Sequence, residues 1–84
     1  MEEVKTTIID FIASNFIVNL EQLEENDSLV DRGIVDSTGI ISIVSFIEDT
    51  YEFQIKDHEI TIENFGSIHS IVQFVQTRIE KTSA

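Results

Sequence analysis

Apolar residues recur with helical spacing in three stretches of this 84-residue chain. Residues at i, i+3, i+4 and i+7 lie on one face of a helix, so each stretch predicts an amphipathic helix with one buried face. Isoleucine and valine favour strands, but apolar segments of about a dozen residues with period ~3.6 favour helices. The stripes consist of Val4, Ile8, Phe11, Ile12 and Phe16, then Ile40, Ile43, Val44, Ile47 and Tyr51, then Ile68, Ile71, Val72, Val75 and Ile79.

The connections between these stretches also carry apolar residues. In the first, roughly residues 17–36, the side chains expected to pin the chain to the helices are Leu20, Leu23, Leu29 and Val30, because a long free loop is unusual in a compact domain. In the second, Phe53, Ile55, Ile60 and Ile62 are expected in the core. A short helix is predicted from about Ile60 to Phe65, and Ser67 is expected to cap the last helix. The prediction is an all-α four-helix bundle, with three longer helices, one short helix and a long loop between helices 1 and 2. One domain is expected over residues 1–84.

Charge and composition narrow the function classes. The formal net charge is −11, from 16 acidic and 5 basic residues, which argues against nucleic-acid binding and favours basic protein partners. The chain has no cysteine, so it offers no disulfide and no thiolate. The beginning, MEEVKTT, is unlike a signal peptide, and no apolar run is long enough to span a membrane. We therefore expect a cytoplasmic monomer.

The pair Asp36–Ser37 lies where a polar segment meets the second helix. A serine hydrolase would need a base beside Ser37, and His58 and His69 are both expected on the surface, so no catalytic residue is predicted. The acids between residues 21 and 31 do not follow the order of a calcium loop, so no metal site is predicted. Either Asp36 or Ser37 would suit a helix N-cap. An exposed hydroxyl at a helix start would equally suit modification by another enzyme.

The stretch DRGIVDSTGIISIVSFIEDTYEFQI resembles the modification region of acyl carrier proteins, and the resemblance extends over roughly residues 4–79. It implies that Ser37 receives 4′-phosphopantetheine from coenzyme A through a phosphopantetheinyl transferase. The thiol of that arm would carry an acyl or aminoacyl group as a thioester. The chain would then be a non-catalytic shuttle between an acyl- or aminoacyl-activating ligase and a downstream acyltransferase or condensing enzyme.

The same resemblance suggests roles for residues near Ser37. Transferase and partner recognition is expected to involve Asp36, Thr38, Ile41, Glu48 and Asp49. Asp36 is further implied to help hold the magnesium of the transferase. Residues that would line an acyl groove, unless they belong to the ordinary core, are Phe46, Ile62 and Phe65, with Ile41 beside them.

The chain departs from the typical fatty-acid carrier in several places. Thr38 follows the serine where leucine is usual, Gly39 stands where an acid is frequent, and Ile34–Val35 make the approach one residue longer. GIVDSTG is closer to the pattern of D-alanyl carrier proteins and some other stand-alone carriers, which adenylating ligases load, so the resemblance is to a stand-alone carrier. Three interpretations stay open: a carrier in fatty acid, polyketide or nonribosomal peptide biosynthesis, a D-alanyl or other aminoacyl carrier, and a helical adaptor that binds partners without an arm.

Overall fold

Four α-helices and one turn of 3₁₀ helix make up the computed structural model, which describes residues 2–16 and 21–83. The helices are α1 (Glu2–Asn15), α2 (Ser37–Tyr51), α3 (Ile62–Phe65) and α4 (Ile68–Ser83). The 3₁₀ turn, Asp57–Glu59, precedes α3. Across the described ranges no residue belongs to a strand. The prediction of an all-α bundle with three longer helices, one short helix and a long first connection is confirmed.

Most of the core is built from the apolar stripes that the sequence predicts. Every stripe residue is buried or half-buried, and α4 packs against both α1 and α3. Burying one such side chain stabilises the fold by about 1.5–3 kcal/mol relative to leaving it exposed, so packing rather than helix propensity holds the bundle together. The largest fully buried side chains are Phe65, Ile8, Ile12, Leu29, Ile43, Ile47, Ile71 and Val75.

The long connection between α1 and α2 is fastened to the bundle by Leu29. Its side chain is fully buried, and its N–H donates to the Gly66 carbonyl oxygen at 2.7 Å. Leu23 packs against the core and Val30 is half-buried, so the predicted pinning is confirmed for the leucines at 23 and 29. Leu20 lies outside the described residues. The described part of the connection, residues 21–36, is therefore held against the bundle before the chain enters α2.

The second connection, from Tyr51 to α3, differs from the sequence prediction in where its short helix begins. Ile55 is buried, and Phe53 and Ile60 pack against the core, as expected. The short helix begins at Ile62 rather than Ile60, because the Thr61 hydroxyl accepts from the Asn64 N–H at 3.2 Å and caps the helix there.

The late start of α3 changes the surroundings of Ile62. Placed in the first turn of the short helix, Ile62 is 62% exposed instead of anchoring the core. The predicted cap of α4 is confirmed, since the Ser67 hydroxyl oxygen accepts from the Ser70 N–H at 3.1 Å.

Candidate functional site

Ser37 is the first residue of α2, and its side chain is exposed. The cap of the helix is Asp36: its Oδ1 accepts from the Gly39 N–H at 2.8 Å, while its own backbone is extended. Among the described residues, none hydrogen-bonds to the Ser37 hydroxyl. The structure thus decides between the two predicted caps, and it leaves the serine oxygen open to an approaching molecule.

The chain reaches Ser37 through a tight turn centred on Gly33. The Ser28 hydroxyl accepts from the Asp31 N–H, and the Gly33 N–H donates to the Val30 carbonyl at 3.0 Å. Gly33 has φ +74°, a left-handed backbone conformation that residues with a Cβ rarely adopt. The turn brings the next two N–H groups, of Ile34 and Val35, onto the Leu29 carbonyl, so the segment just before the cap is held in place.

Gly39 allows the first turn of α2 to approach its neighbours closely. A Cβ added here would lie 2.8 Å from Cγ1 of Val35 and 2.9 Å from Cε1 of Phe16. The sequence showed Gly39 only as a departure from the usual carrier pattern. Its packing role depends on Val35 and on the more distant Phe16, and the sequence alone does not show that both meet at this position.

An open cleft of about 600 Å³ lies beside the start of α2. One wall comes from Thr38 and Ser42, which are one helical turn apart, and the other from Ile34 and Val35. Phe16 and the capping Asp36 complete the lining, together with Val30, Gly33 and Gly39. Ser37 is therefore flanked in sequence by two residues of this cleft, at positions 36 and 38.

The residues predicted to meet partners lie along α2 in different environments. Thr38, Ile41 and Asp49 are exposed, with Ile41 52% exposed. Glu48 is half-buried, and its Oε2 accepts from the Ile55 N–H at 2.8 Å. Glu48 therefore fastens the chain after α2, an internal role that its position among other acids did not reveal.

The residues predicted for an acyl groove do not share one environment. Phe46 is half-buried and stacks on Phe11, with ring centroids 4.1 Å apart. Phe65 is fully buried and packs against Phe74, with ring centroids 5.0 Å apart, whereas Ile62 is exposed on α3. The two phenylalanines contribute to packing, and Ile41 and Ile62 contribute apolar surface.

Arg78 and Glu59 form a polar cluster that the sequence did not predict. Arg78 donates to Glu59 Oε2 and to the Gln54 carbonyl, both at 2.6 Å, and its guanidinium lies 5.1 Å from the Phe53 ring centroid. The pKa of Glu59 is lowered, first by the hydrogen bond from the Lys56 N–H and then by Arg78. The sequence did offer one sign of this cluster: Arg78 is the single arginine of the last helix in a strongly acidic chain.

The remaining candidates for chemistry lie apart from Ser37. His58 is in the 3₁₀ turn and His69 is on α4, and both are exposed, as predicted. Within residues 2–16 and 21–83, no three histidine or acidic side chains are grouped so that they could hold a metal ion. The helices described here include none that is both long and apolar enough to cross a bilayer.

The chain is similar to D-alanyl carrier proteins, whereas no protein-family model matches it. The D-alanyl carrier protein of Streptococcus uberis (strain ATCC BAA-854 / 0140J) is 26% identical over 73 residues, which cover 87% of this chain and 91% of the relative. Those of Streptococcus pyogenes serotype M5 (strain Manfredo) and serotype M1 are 23% identical over the same shares. The resemblance to carrier proteins, with similarity to the D-alanyl type, is confirmed.

Proposed function

We propose that this protein is a non-catalytic carrier whose Ser37 bears a 4′-phosphopantetheine arm. One observation carries the proposal: an exposed serine hydroxyl at the start of α2, directly after its capping aspartate. The similarity to D-alanyl carrier proteins over 87% of the chain supports it. We propose further that residues 1–84 act as one carrier domain and that it works as a monomer in the cytoplasm.

The residues around Ser37 fit the arm. The Ser37 oxygen is free to form a phosphodiester with the phosphopantetheine phosphate of coenzyme A, whose pyrophosphate bond breaks to release adenosine 3′,5′-bisphosphate, and the space beside this oxygen is open. The arm would supply the thiol needed for a thioester, which the chain lacks because it has no cysteine. Since both histidines are exposed on other elements, the transferase has to take the proton from the hydroxyl. Asp36 would fix the helix start and offer its second oxygen to the transferase or its magnesium.

Of the cargo classes, an aminoacyl group is the one that we propose. The relatives are named D-alanyl carrier proteins, and the core beside α2 is filled by Ile43, Ile47 and Phe65, all fully buried. A filled core favours a small cargo that stays outside the bundle. The loading partner would then be an adenylating ligase, and a downstream acyltransferase or condensing enzyme would receive the group.

Intact-protein mass spectrometry tests the attachment. After incubation with coenzyme A and a promiscuous phosphopantetheinyl transferase, the protein should gain the mass of one arm. Ser37→Ala should gain none, while Ser45→Ala, which changes another exposed serine of α2, should be loaded like the wild type. Absence of the added mass in the wild type would favour the adaptor interpretation, and loading of Ser37→Ala would place the arm elsewhere.

The cargo is tested on the loaded protein. Incubation with ATP, D-alanine or another amino acid and a candidate adenylating ligase should add the mass of one aminoacyl group. Hydroxylamine should remove that mass, because it cleaves thioesters. A loaded protein that accepts only long fatty acyl groups would contradict the aminoacyl assignment while leaving the carrier function intact.

A further inference from the structure

The cleft beside the start of α2 differs in charge from the rest of the molecule. The chain has a net charge of −11, yet Asp36 is the one charged residue among the described residues that line the cleft, and it already accepts from the Gly39 N–H. A second cleft, between α3 and α4, is lined by Glu59, Glu63 and Arg78. The first cleft is therefore suited to an uncharged molecule, and the second is not.

The two walls of the cleft offer different contacts. Phe16, Ile34 and Val35 give an apolar wall, and the hydroxyl-bearing residues Thr38 and Ser42 stand on the side of α2. At about 600 Å³ the cleft is within the ~300–1,000 Å³ range typical of sites for small organic ligands. A ligand with an apolar branch and neutral hydrogen-bonding groups would match both walls.

On the basis of the proposed modification of Ser37, we propose that this cleft holds the pantetheine portion of the arm. That portion is uncharged, with a gem-dimethyl group and two amides, so its methyls suit the wall of Phe16 and Ile34 and its amides suit Thr38 and Ser42. Tethering favours the binding, because a group attached at Ser37 has a high effective concentration beside residues 36 and 38. The arm thus has a resting position along the outside of α2, away from the filled core.

Nuclear Overhauser effects in the loaded protein test this position. With isotope-labelled protein and an unlabelled arm, the gem-dimethyl protons should show contacts to the Phe16 ring and the Ile34 side chain. Amide shifts between the unmodified and loaded protein should extend to Ile34 and Ser42. A fully loaded protein whose arm contacts only the immediate neighbours of Ser37 would overturn the proposal and leave the carrier function standing. Failure of loading by mass would overturn both.

A matched pair of variants assigns the contacts to the cleft. Ser42→Phe places a bulky side chain in the cleft, so the contacts from the arm to Ile34 should be lost. Ser45→Phe puts the same side chain on an exposed position of α2 outside the lining, and the contacts should remain. Both changes are at exposed positions, and circular dichroism would verify that each variant is folded. Persistence of the contacts in Ser42→Phe would overturn the proposal.

Discussion

The two ends of α2 are built in opposite ways. At the N-terminal end, Asp36 caps the helix, Ser37 is exposed and a cleft opens beside them. At the C-terminal end, Glu52 takes a left-handed conformation with φ 58°, and Glu48 holds the Ile55 N–H at 2.8 Å. The chain that follows is braced by Arg78. One end is left open to other molecules, and the other is fastened to its own chain.

This difference shows that acidic residues on one helix serve different purposes. Residues 37–47 of α2 carry no charge, and the acids begin at Glu48. Glu48 is committed to an internal hydrogen bond, whereas Asp49 is exposed. The part of α2 next to Ser37 therefore presents hydroxyls and the apolar surface of Ile41 rather than a row of carboxylates.

The largest effect is expected at the open end, from Gly39→Val. The added side chain would collide with Val35 and Phe16, since even a Cβ would lie within 3 Å of both. Overpacking of this kind costs about 1–3 kcal/mol, so the free energy of unfolding in urea should fall by that amount. The collision should also disturb the cap and slow arm attachment at Ser37.

Ser45→Val is the matched control for Gly39→Val. It introduces the same β-branched side chain into the same helix, at an exposed position. A change within about 0.5 kcal/mol is expected there, as for most surface substitutions. If both variants lost equal stability, the cost would come from helix propensity and the close approach at Gly39 would be irrelevant.

At the fastened end, Glu48→Ala should be the next most damaging change. It leaves the N–H of the buried Ile55 without its acceptor, which costs about 1–3 kcal/mol when water cannot replace the lost partner. Asp49→Ala, the neighbouring exposed acid, should change the free energy of unfolding by less than about 0.5 kcal/mol. Equal losses from the two variants would contradict the internal role of Glu48.

The sequence was sufficient for the helices but not for these two ends. Apolar spacing is a local property that burial enforces, so the stripes of α1, α2 and α4 could be predicted residue by residue. The partner of Glu48 is seven residues away, and the constraint on Gly39 comes from Val35 and from Phe16, which directly follows α1. Such contacts depend on the tertiary arrangement. The prediction that Ile62 lies in the core was wrong for a related reason, since the cap at Thr61 rather than periodicity sets where α3 begins.

The candidate site was predictable to a similar extent. The Asp-Ser pair can be recognised in the sequence, and its position at the start of the second helix follows from the apolar stripe behind it. Which of the two residues caps the helix could not be decided, because both side chains are good caps. The cleft beside Ser37 was also beyond prediction, since its walls combine residue 16, residues 30 and 33–36 of the loop, and residues 38, 39 and 42 of α2.

Substitutions of Asp36 should separate its structural role from its charge. Asp36→Ala removes the cap and should cost about 1 kcal/mol of stability. Asp36→Asn keeps a capping oxygen and should change stability by only a few tenths of a kcal/mol, since asparagine caps about as well as aspartate. It should nonetheless reduce transferase turnover, because the negative charge next to Ser37 is lost. Turnover equal to that of the wild type would mean that Asp36 is purely structural.

The smallest effect on stability is expected from the pair of Arg78 and Glu59, which holds the chain that follows α2. This effect depends on pH. The folded protein lowers the pKa of Glu59 below its ordinary value near 4.5, through the Lys56 N–H and Arg78. A lowered carboxyl pKa contributes stability that is complete above the unfolded value and is lost as the pH falls through the folded value. Because a glutamine side chain resembles the protonated acid, Glu59→Gln should be less stable than the wild type at pH 6, by less than about 1 kcal/mol.

The difference in unfolding free energy between wild type and Glu59→Gln should shrink as the pH falls below the ordinary glutamate value near 4.5 and through the folded pKa of Glu59. Urea unfolding of both proteins between about pH 6 and pH 3 measures that difference directly, and general acid destabilisation cancels from it. Glu63→Gln, which alters an exposed acid on α3, serves as the control. The free-energy difference between wild type and Glu59→Gln could instead stay constant over this range. Arg78 would then stabilise this region through its packing on Phe53 and Phe74, and the charge of Glu59 would contribute nothing.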